Sequence, residues 1–203
     1  MIQMTKARIL VMRAGVLALQ GDVSEHMKAT REAAKSLKMR CEIVEVRTAR
    51  DLEGLDALII PGGESTTIYK LCEREGMLEK MRNIRNIFGT CAGAIMLAKR
   101  VSGAEDGQKT LGLMDIEVDR NAYGSQANSF ETPLDTELGT LNAIFIRAPR
   151  ILRVGDGVVA LARRNGEIVA CEQHSGKNLY LAACFHPELS TTLFHERFLR
   201  RLR

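Results

Sequence analysis

Residues 86–97 read NIFGTCAGAIML, and the five at their centre, Gly89-Thr90-Cys91-Ala92-Gly93, have the form G-x-C-x-G. This is the cysteine version of the nucleophile elbow, in which a strand turns sharply into a helix and leaves the central side chain exposed on a strained backbone. Glycines at 89 and 93 let the two limbs of the turn approach without Cβ clashes. On this reading Ile87-Phe88 ends a strand, and Ala94-Ile95-Met96-Leu97-Ala98 forms the first turns of a helix. The competing account is a buried structural cysteine in a Gly-rich turn, because free cysteine packs as a small hydrophobe. The flanking chain has to decide.

Upstream, the pattern alternates strand and helix. Ala14 to Leu19 is a continuous apolar run of the kind found in buried parallel strands, and it stops at Gln20-Gly21-Asp22. Asp22 and Glu25 make a D-x-x-E capping signal for a helix through about Leu37. Cys41 to Val46 alternates as a second strand, and Ala57-Leu58-Ile59-Ile60 is a third, ended by Pro61-Gly62-Gly63. A helical stretch from about Thr66 to Arg85, broken at Gly76, leads back to the elbow. The β-α-β-α-β order implies a doubly wound parallel sheet with ligands at the carboxyl ends of its strands.

Downstream of Gly103 the pattern changes to strands with little helix between them. The candidates are Met114 to Arg120, Leu141 to Ile146, Val158 to Ala162, Glu167 to Glu172 and Leu179 to Ala183. Two of these, joined around Asn165-Gly166, read as a β-hairpin. Thr191 to Leu202 closes the chain as an amphipathic helix with Leu193, Phe194, Phe198 and Leu202 on its apolar face. No repeat or linker interrupts the sequence, and residues 1–203 read as one domain, with 1–12 a possible N-terminal extension ahead of a start at Met12.

Composition narrows the class. The formal charge of +4 is modest, tryptophan is absent and aromatics are 4%, so a base-stacking or polyanion-binding surface is not indicated. The five cysteines (41, 72, 91, 171 and 184) are odd in number and widely spaced, with no C-x-x-C pair. Neither a disulfide framework nor a zinc cage is expected, and a reducing, cytoplasmic setting fits best. Cys184 and His186 share a strand face, but closed zinc sites need more ligands than this pair supplies. No stretch is long enough to span a bilayer, so no membrane is expected. No P-loop or G-x-G-x-x-G occurs, and no cofactor is expected.

A cysteine nucleophile needs a base, and the base an orienter. Of the four histidines, His26 and His195 fall in predicted helices and read as surface residues, and His174 sits in a turn beside Ser175-Gly176. His186 differs: it follows an apolar strand and opens His186-Pro187-Glu188. Pro187 fixes its own φ and pushes His186 into an extended conformation, where residues i and i+2 point the same way. Glu188 can then accept the Nδ1 proton and leave Nε2 to face a thiol, the division of labour of a triad. Ala92 N–H, at the start of the helix after Cys91, is one oxyanion donor, and the flexible Gly62-Gly63 backbone can supply a second.

Taken together these segments resemble the class I, triad-type glutamine amidotransferases, and among them the glutaminase subunits of two-component pyridoxal 5′-phosphate synthases. The resemblance is carried by GVLALQGDVSEH (15–26), PGGESTT (61–67), FGTCAG (88–93), RNAYGSQ (120–126), FIRAP (145–149) and FHPEL (185–189). It implies Cys91 as nucleophile, His186 as acid/base and Glu188 as its orienter. It implies glutamine held by Gly63, Glu64, Ser65, Arg120, Ile146 and Arg147, an oxyanion hole of Gly63 and Ala92, and partner gating at Gln20 and Gly21. The implied fold is a flavodoxin-like three-layer α/β sandwich with a mostly parallel, mixed central sheet. The implied partner is a (β/α)8-barrel synthase subunit that consumes the ammonia. Another biosynthetic amidotransferase is the nearest alternative. A redox or stress protein of similar fold would lack His186-Pro187-Glu188 and the glutamine-binding segments.

Overall fold

The computed structural model describes residues 11–103, 109–120 and 129–202. Most of the expected N-terminal extension, and all of 120–126 except Arg120, lie outside the described residues. Twelve strands and five helices are described: β1 Met12–Leu17, α1 Val23–Ser36, β2 Cys41–Val46, β3 Ala57–Ile60, α2 Ser65–Arg74, α3 Leu78–Arg82, β4 Asn86–Thr90, α4 Ala92–Leu97, β5 Ala98–Ser102, β6 Met114–Asp119, β7 Phe130–Thr136, β8 Gly139–Phe145, β9 Arg150–Val154, β10 Val158–Arg164, β11 Glu167–Ser175, β12 Asn178–Ala183 and α5 Leu193–Arg200.

The strands form a nine-stranded mixed sheet in the order β2-β1-β3-β4-β12-β11-β10-β7-β8, and a small sheet β5-β6-β9. The first five strands of the large sheet are parallel, and the turn to antiparallel pairing comes at β11. β3 and β12 are apolar and buried almost throughout, as parallel strands covered on both faces must be. β6 alternates buried and half-buried residues along its length, the signature of a strand with one face inward. Helix α1 packs against α5, and α2 against α4. Among the described residues no helix is long and apolar enough to cross a membrane.

The chain leaves β1 for β2 on one side and then crosses to β3 on the other, which places a topological switch point between β1 and β3. Loops at such a point diverge and leave a crevice at the carboxyl ends of the strands. Gln20-Gly21-Asp22 follows β1, Pro61-Gly62-Gly63 follows β3, Cys91 follows β4 and His186 follows β12. Register brings the last two together. Ala183 pairs with Thr90, and Cys91 N–H donates to Ala183 O at 2.8 Å.

The structure adds β5, β7 and β9 to the expected strands and stops α4 after six residues, where the sequence pattern suggested only its opening turns. The long helical stretch is α2 and α3, interrupted where Gly76 takes φ +64°. Asn165 and Gly166, at φ +51° and +83°, form the expected tight turn between β10 and β11.

Candidate active site

Cys91 sits between β4 and α4 at φ 48°, ψ −107°, a conformation sparsely populated by any residue with a side chain. Its flanking glycines are required by contact. A Cβ on Gly89 would lie 2.3 Å from Gly93 O, and one on Gly93 would lie 2.0 Å from Ile60 O. The elbow is therefore a close approach of three backbones, and its strain is held by the sheet on either side. The thiol faces a cleft of about 430 Å³ lined by Gly21, Asp22, Gly63, Glu64, Ser65, Cys91, Ala92, Ile95, Arg120, Ile146, Arg147, Ala148 and His186.

His186 reaches Cys91 across this cleft. The carbon that a Cβ at Gly62 would occupy lies 2.5 Å from His186 Cε1 and 3.4 Å from Cys91 Cβ, so the two side chains converge on one bare glycine. Backbone bonding fixes the histidine, whose N–H donates to Ile144 O at 2.9 Å. Pro187 then opens a single 3-10 turn, Pro187–Leu189, so Glu188 swings beneath the ring through a turn rather than along an extended strand. His186 Nδ1 donates to Glu188 Oε1 at 2.7 Å. Burial works to lower the imidazole pKa, but the hydrogen bonds to Cys91 and Glu188 prevail and raise it to about 10. Burial likewise opposes ionisation of Glu188, yet the neighbouring histidines hold it well below the usual carboxylate range. These are the electrostatics of an imidazolium held between two acids.

The expected glutamine-binding residues gather on one side of the cleft. Glu64 caps α2, accepting from Thr66 N at 2.9 Å and Thr67 N at 2.7 Å, and pairs with Arg120. Burial would raise its pKa, but the bonds from Thr67 and Thr66 and the charge of Arg120 bring it down to about 2. Arg120 also donates to Thr66 Oγ1 at 2.7 Å. Ser65, almost fully buried, begins α2 at the cleft wall. Ile146 O lies 3.8 Å from Cys91 Sγ, and Arg147 beside it is held at φ +44°. Gly63 and Ala92 flank Cys91 in the cleft, and Gly63 at φ +143° has a backbone that favours glycine. Gln20 Oε1 accepts from Glu64 N at 3.3 Å, tying the loop after β1 to the loop after β3.

Two further sequence readings need correction. Asp22 makes no side-chain cap bond to α1; its Oδ2 lies 3.2 Å from His186 Nδ1 instead. Only its carbonyl serves the helix, accepting from His26 N at 3.1 Å. The signal for this role was its place beside Gln20-Gly21 at the end of a central strand. His26 and His195 are not surface residues: both are fully buried, and His26 Nδ1 lies 3.0 Å from His195 Nε2. Their neighbours explain it. His195 and Leu199 are one turn apart, as are Phe194 and Phe198, and this whole face of α5 is buried. Asp22, His186 and Glu188 bring three potential ligand atoms within 4.8 Å, but a metal there would take the Nδ1 that Glu188 uses.

A strained cysteine at a strand-to-helix elbow, met by a buried imidazole with its own carboxylate, has the geometry of a thiol-dependent acyl-transfer site of triad type. Comparison with known proteins narrows that class. The chain belongs to the SNO glutamine amidotransferase family, whose model matches residues 16–203. A protein of Korarchaeum cryptofilum called pyridoxal 5′-phosphate synthase subunit PdxT is 48% identical over 198 residues, covering 94% of this chain and 98% of its own. A protein of the same name from Oenococcus oeni is 44% identical over 197 residues, covering 94% and 97%. A crystal structure of a glutamine amidotransferase superposes with a TM-score of 0.80 at 45% identity, covering 93% of this chain and 98% of that one.

Proposed function

We infer that this chain, a single amidotransferase domain over residues 1–203, is the glutaminase subunit of a pyridoxal 5′-phosphate synthase and works in the cytoplasm. The convergence of Cys91, His186 and Glu188 at the carboxyl ends of adjacent parallel strands carries the reading. The Cys91 thiolate attacks the side-chain amide carbon of glutamine. The tetrahedral oxyanion is met by the N–H groups of Ala92 and Gly63. His186 gives its proton to the departing ammonia, then draws one from water as the thioester is hydrolysed to glutamate. Glu188 accepts from Nδ1 throughout, keeping Nε2 toward the reacting atoms.

Glutamine enters with its amide toward the elbow and its α-carboxylate and ammonium toward the charged wall of Glu64, Arg120 and Arg147. Gly63, Ser65 and Ile146 complete the contact around the substrate stem. Ammonia passes to a (β/α)8-barrel synthase subunit, which builds it into the pyridine ring from pentose and triose phosphates. The test mixes the chain with such a subunit, both sugar phosphates and amide-¹⁵N glutamine. Label in the ring nitrogen is expected; glutamate formation without ring label, in the presence of an active synthase, would assign the ammonia to another acceptor.

A further inference from the structure

The line of polar groups through the site does not end at Glu188. Its Oε1 is taken by His186, while Oε2 is buried and, among the described residues, has no hydrogen-bond partner of ordinary geometry. The group facing it is His26 Nε2, 3.4 Å away, with both side chains fully buried. His26 Nε2 also lies 3.0 Å from Oγ1 of Thr90, the residue immediately before the nucleophile. Behind it, His26 Nδ1 meets His195 Nε2 at 3.0 Å. Neither histidine lines the cleft, so neither touches substrate. Two imidazoles in an apolar core are costly unless their polar atoms are used.

The arrangement fixes the protons. Burial first, and then His26, push the His195 pKa down to about 3, so His195 is neutral near pH 7. Its Nδ1 has no hydrogen-bond partner among the described residues. A proton there would be an orphaned buried donor, so the favoured tautomer carries it on Nε2 and donates to His26 Nδ1. His26 then bears its own proton on Nε2, aimed between Thr90 Oγ1 and Glu188 Oε2.

We propose that His26 is a positioning residue of the triad, with His195 locking its tautomer so that one Nε2–H holds both the Glu188 carboxylate and the strand end that carries Cys91. Through Glu188 it sets the His186 ring, and through Thr90 it sets the elbow. Without that donor Glu188 loses the one polar group facing its buried Oε2 among the described residues, takes up a proton more readily, and stops directing the imidazole. The inference rests on the triad reading above, and its test separates the two.

Glutaminase activity would be measured across pH, with saturating synthase subunit, for His26→Leu, His26→Gln, His195→Phe and Glu188→Gln, with a melting curve for each. His26→Leu should lower kcat about 10- to 100-fold, the usual effect of removing an outer partner of a functional group, with KM for glutamine little changed. Its loss of rate on acidification should begin at higher pH than in the wild type. The amide N–H of His26→Gln reaches the Nε2 position and should restore most of the rate and the wild-type acid limb. His195→Phe should shift the acid limb in the same direction as His26→Leu. Wild-type kcat and acid limb in His26→Leu would overturn the proposal. Equal losses in the Leu and Gln variants with an unshifted acid limb would also overturn it, by reducing His26 to packing. If His26→Leu does not fold, an unshifted acid limb in both His26→Gln and His195→Phe overturns it. A silent Glu188→Gln would instead sink the triad reading itself.

Discussion

Cys91 is distinguished from the other four cysteines by where each thiol can put its charge. Burial pushes Cys72 and Cys171 up to about 12 and Cys184 higher still, and half-buried Cys41 is also raised. Only the thiolate reacts as a nucleophile, so a raised pKa slows the reaction of these four near neutral pH. Cys91 alone opens on the cleft and has an imidazolium beside it. A diazo-ketone analogue of glutamine should therefore label Cys91 alone, as read by peptide mass mapping of the active complex. Adduct on Cys184 with Cys91 untouched would overturn the assignment. The same asymmetry orders the triad variants. Cys91→Ala or His186→Ala should cost roughly 10⁵–10⁶ in turnover, and Glu188→Gln roughly 10²–10⁴, because it leaves nucleophile and base in place. A silent Glu188→Gln, with Glu64 instead essential to the histidine's role, would reverse the roles given to the two carboxylates.

Among the elements, the loops after β1 and β3 act as one unit. Gly21 is at φ +98°, and a Cβ there would sit 1.8 Å from Gly62 O. Gly21→Ala should cost about 1–3 kcal/mol, the scale of a forced backbone conformation, and push the Gly62-Gly63 turn away from the thiol. Melting curves and glutaminase turnover check both effects, and a variant with wild-type melting and rate would show that the contact is not tight. Gln20 reaches the same turn from outside, through Glu64 N. If Gly63 supplies an oxyanion donor as proposed, a partner pressing on Gln20 would reset that peptide, an effect worth roughly 10²–10³ in rate. Gln20→Ala should weaken synthase-stimulated activity with little change in melting temperature. Full activity in the isolated wild-type chain, unaltered by partner, would rule this gating out.

Legibility in the sequence followed local pattern and failed where tertiary context decided. The strands β2 and β3 were readable to the residue, β2 from its alternation and β3 from an apolar run ended by Pro61-Gly62-Gly63. The hairpin β10–β11 announced itself through Asn165-Gly166. β7 was hidden because Pro133 lies within it, and proline argues against a strand interior. β5 follows α4 without a turn signal, and Lys99 and Arg100 give it the look of a solvated helix end. The elbow at Cys91 and the His186–Glu188 contact were readable because glycine and proline spacing constrain backbone, although Glu188 arrives through a 3-10 turn. The burial of His26 and His195 was not, because it depends on which helix face meets the sheet, and Asp22 reads as a helix cap although its carboxylate turns to His186.

At the scale of the whole molecule, the buried titratable groups give stability a preferred pH. His195 is depressed from 6.5 to about 3, so the folded state favours the neutral ring; its contribution is complete above pH 6.5 and is lost as pH falls toward 3. Glu188, also depressed, contributes above its ordinary 4.5 and adds to the acid loss below it. His186 runs the other way. Raised from 6.5 to about 10, it contributes fully below 6.5 and loses that contribution as pH rises toward 10. The thiols of Cys72, Cys171 and Cys184, raised from 9.0, favour the protonated folded state and add to the alkaline loss above 9. The limbs meet near the common histidine value, so the melting temperature should peak close to pH 6.5 and fall on both sides. His195→Phe should flatten the acid limb and leave the alkaline one, while His186→Gln should do the reverse. Melting curves from pH 4 to 10 on the three proteins decide it. A His195→Phe profile as steep in acid as the wild type would mean that protonation of His195 does not drive the acid loss.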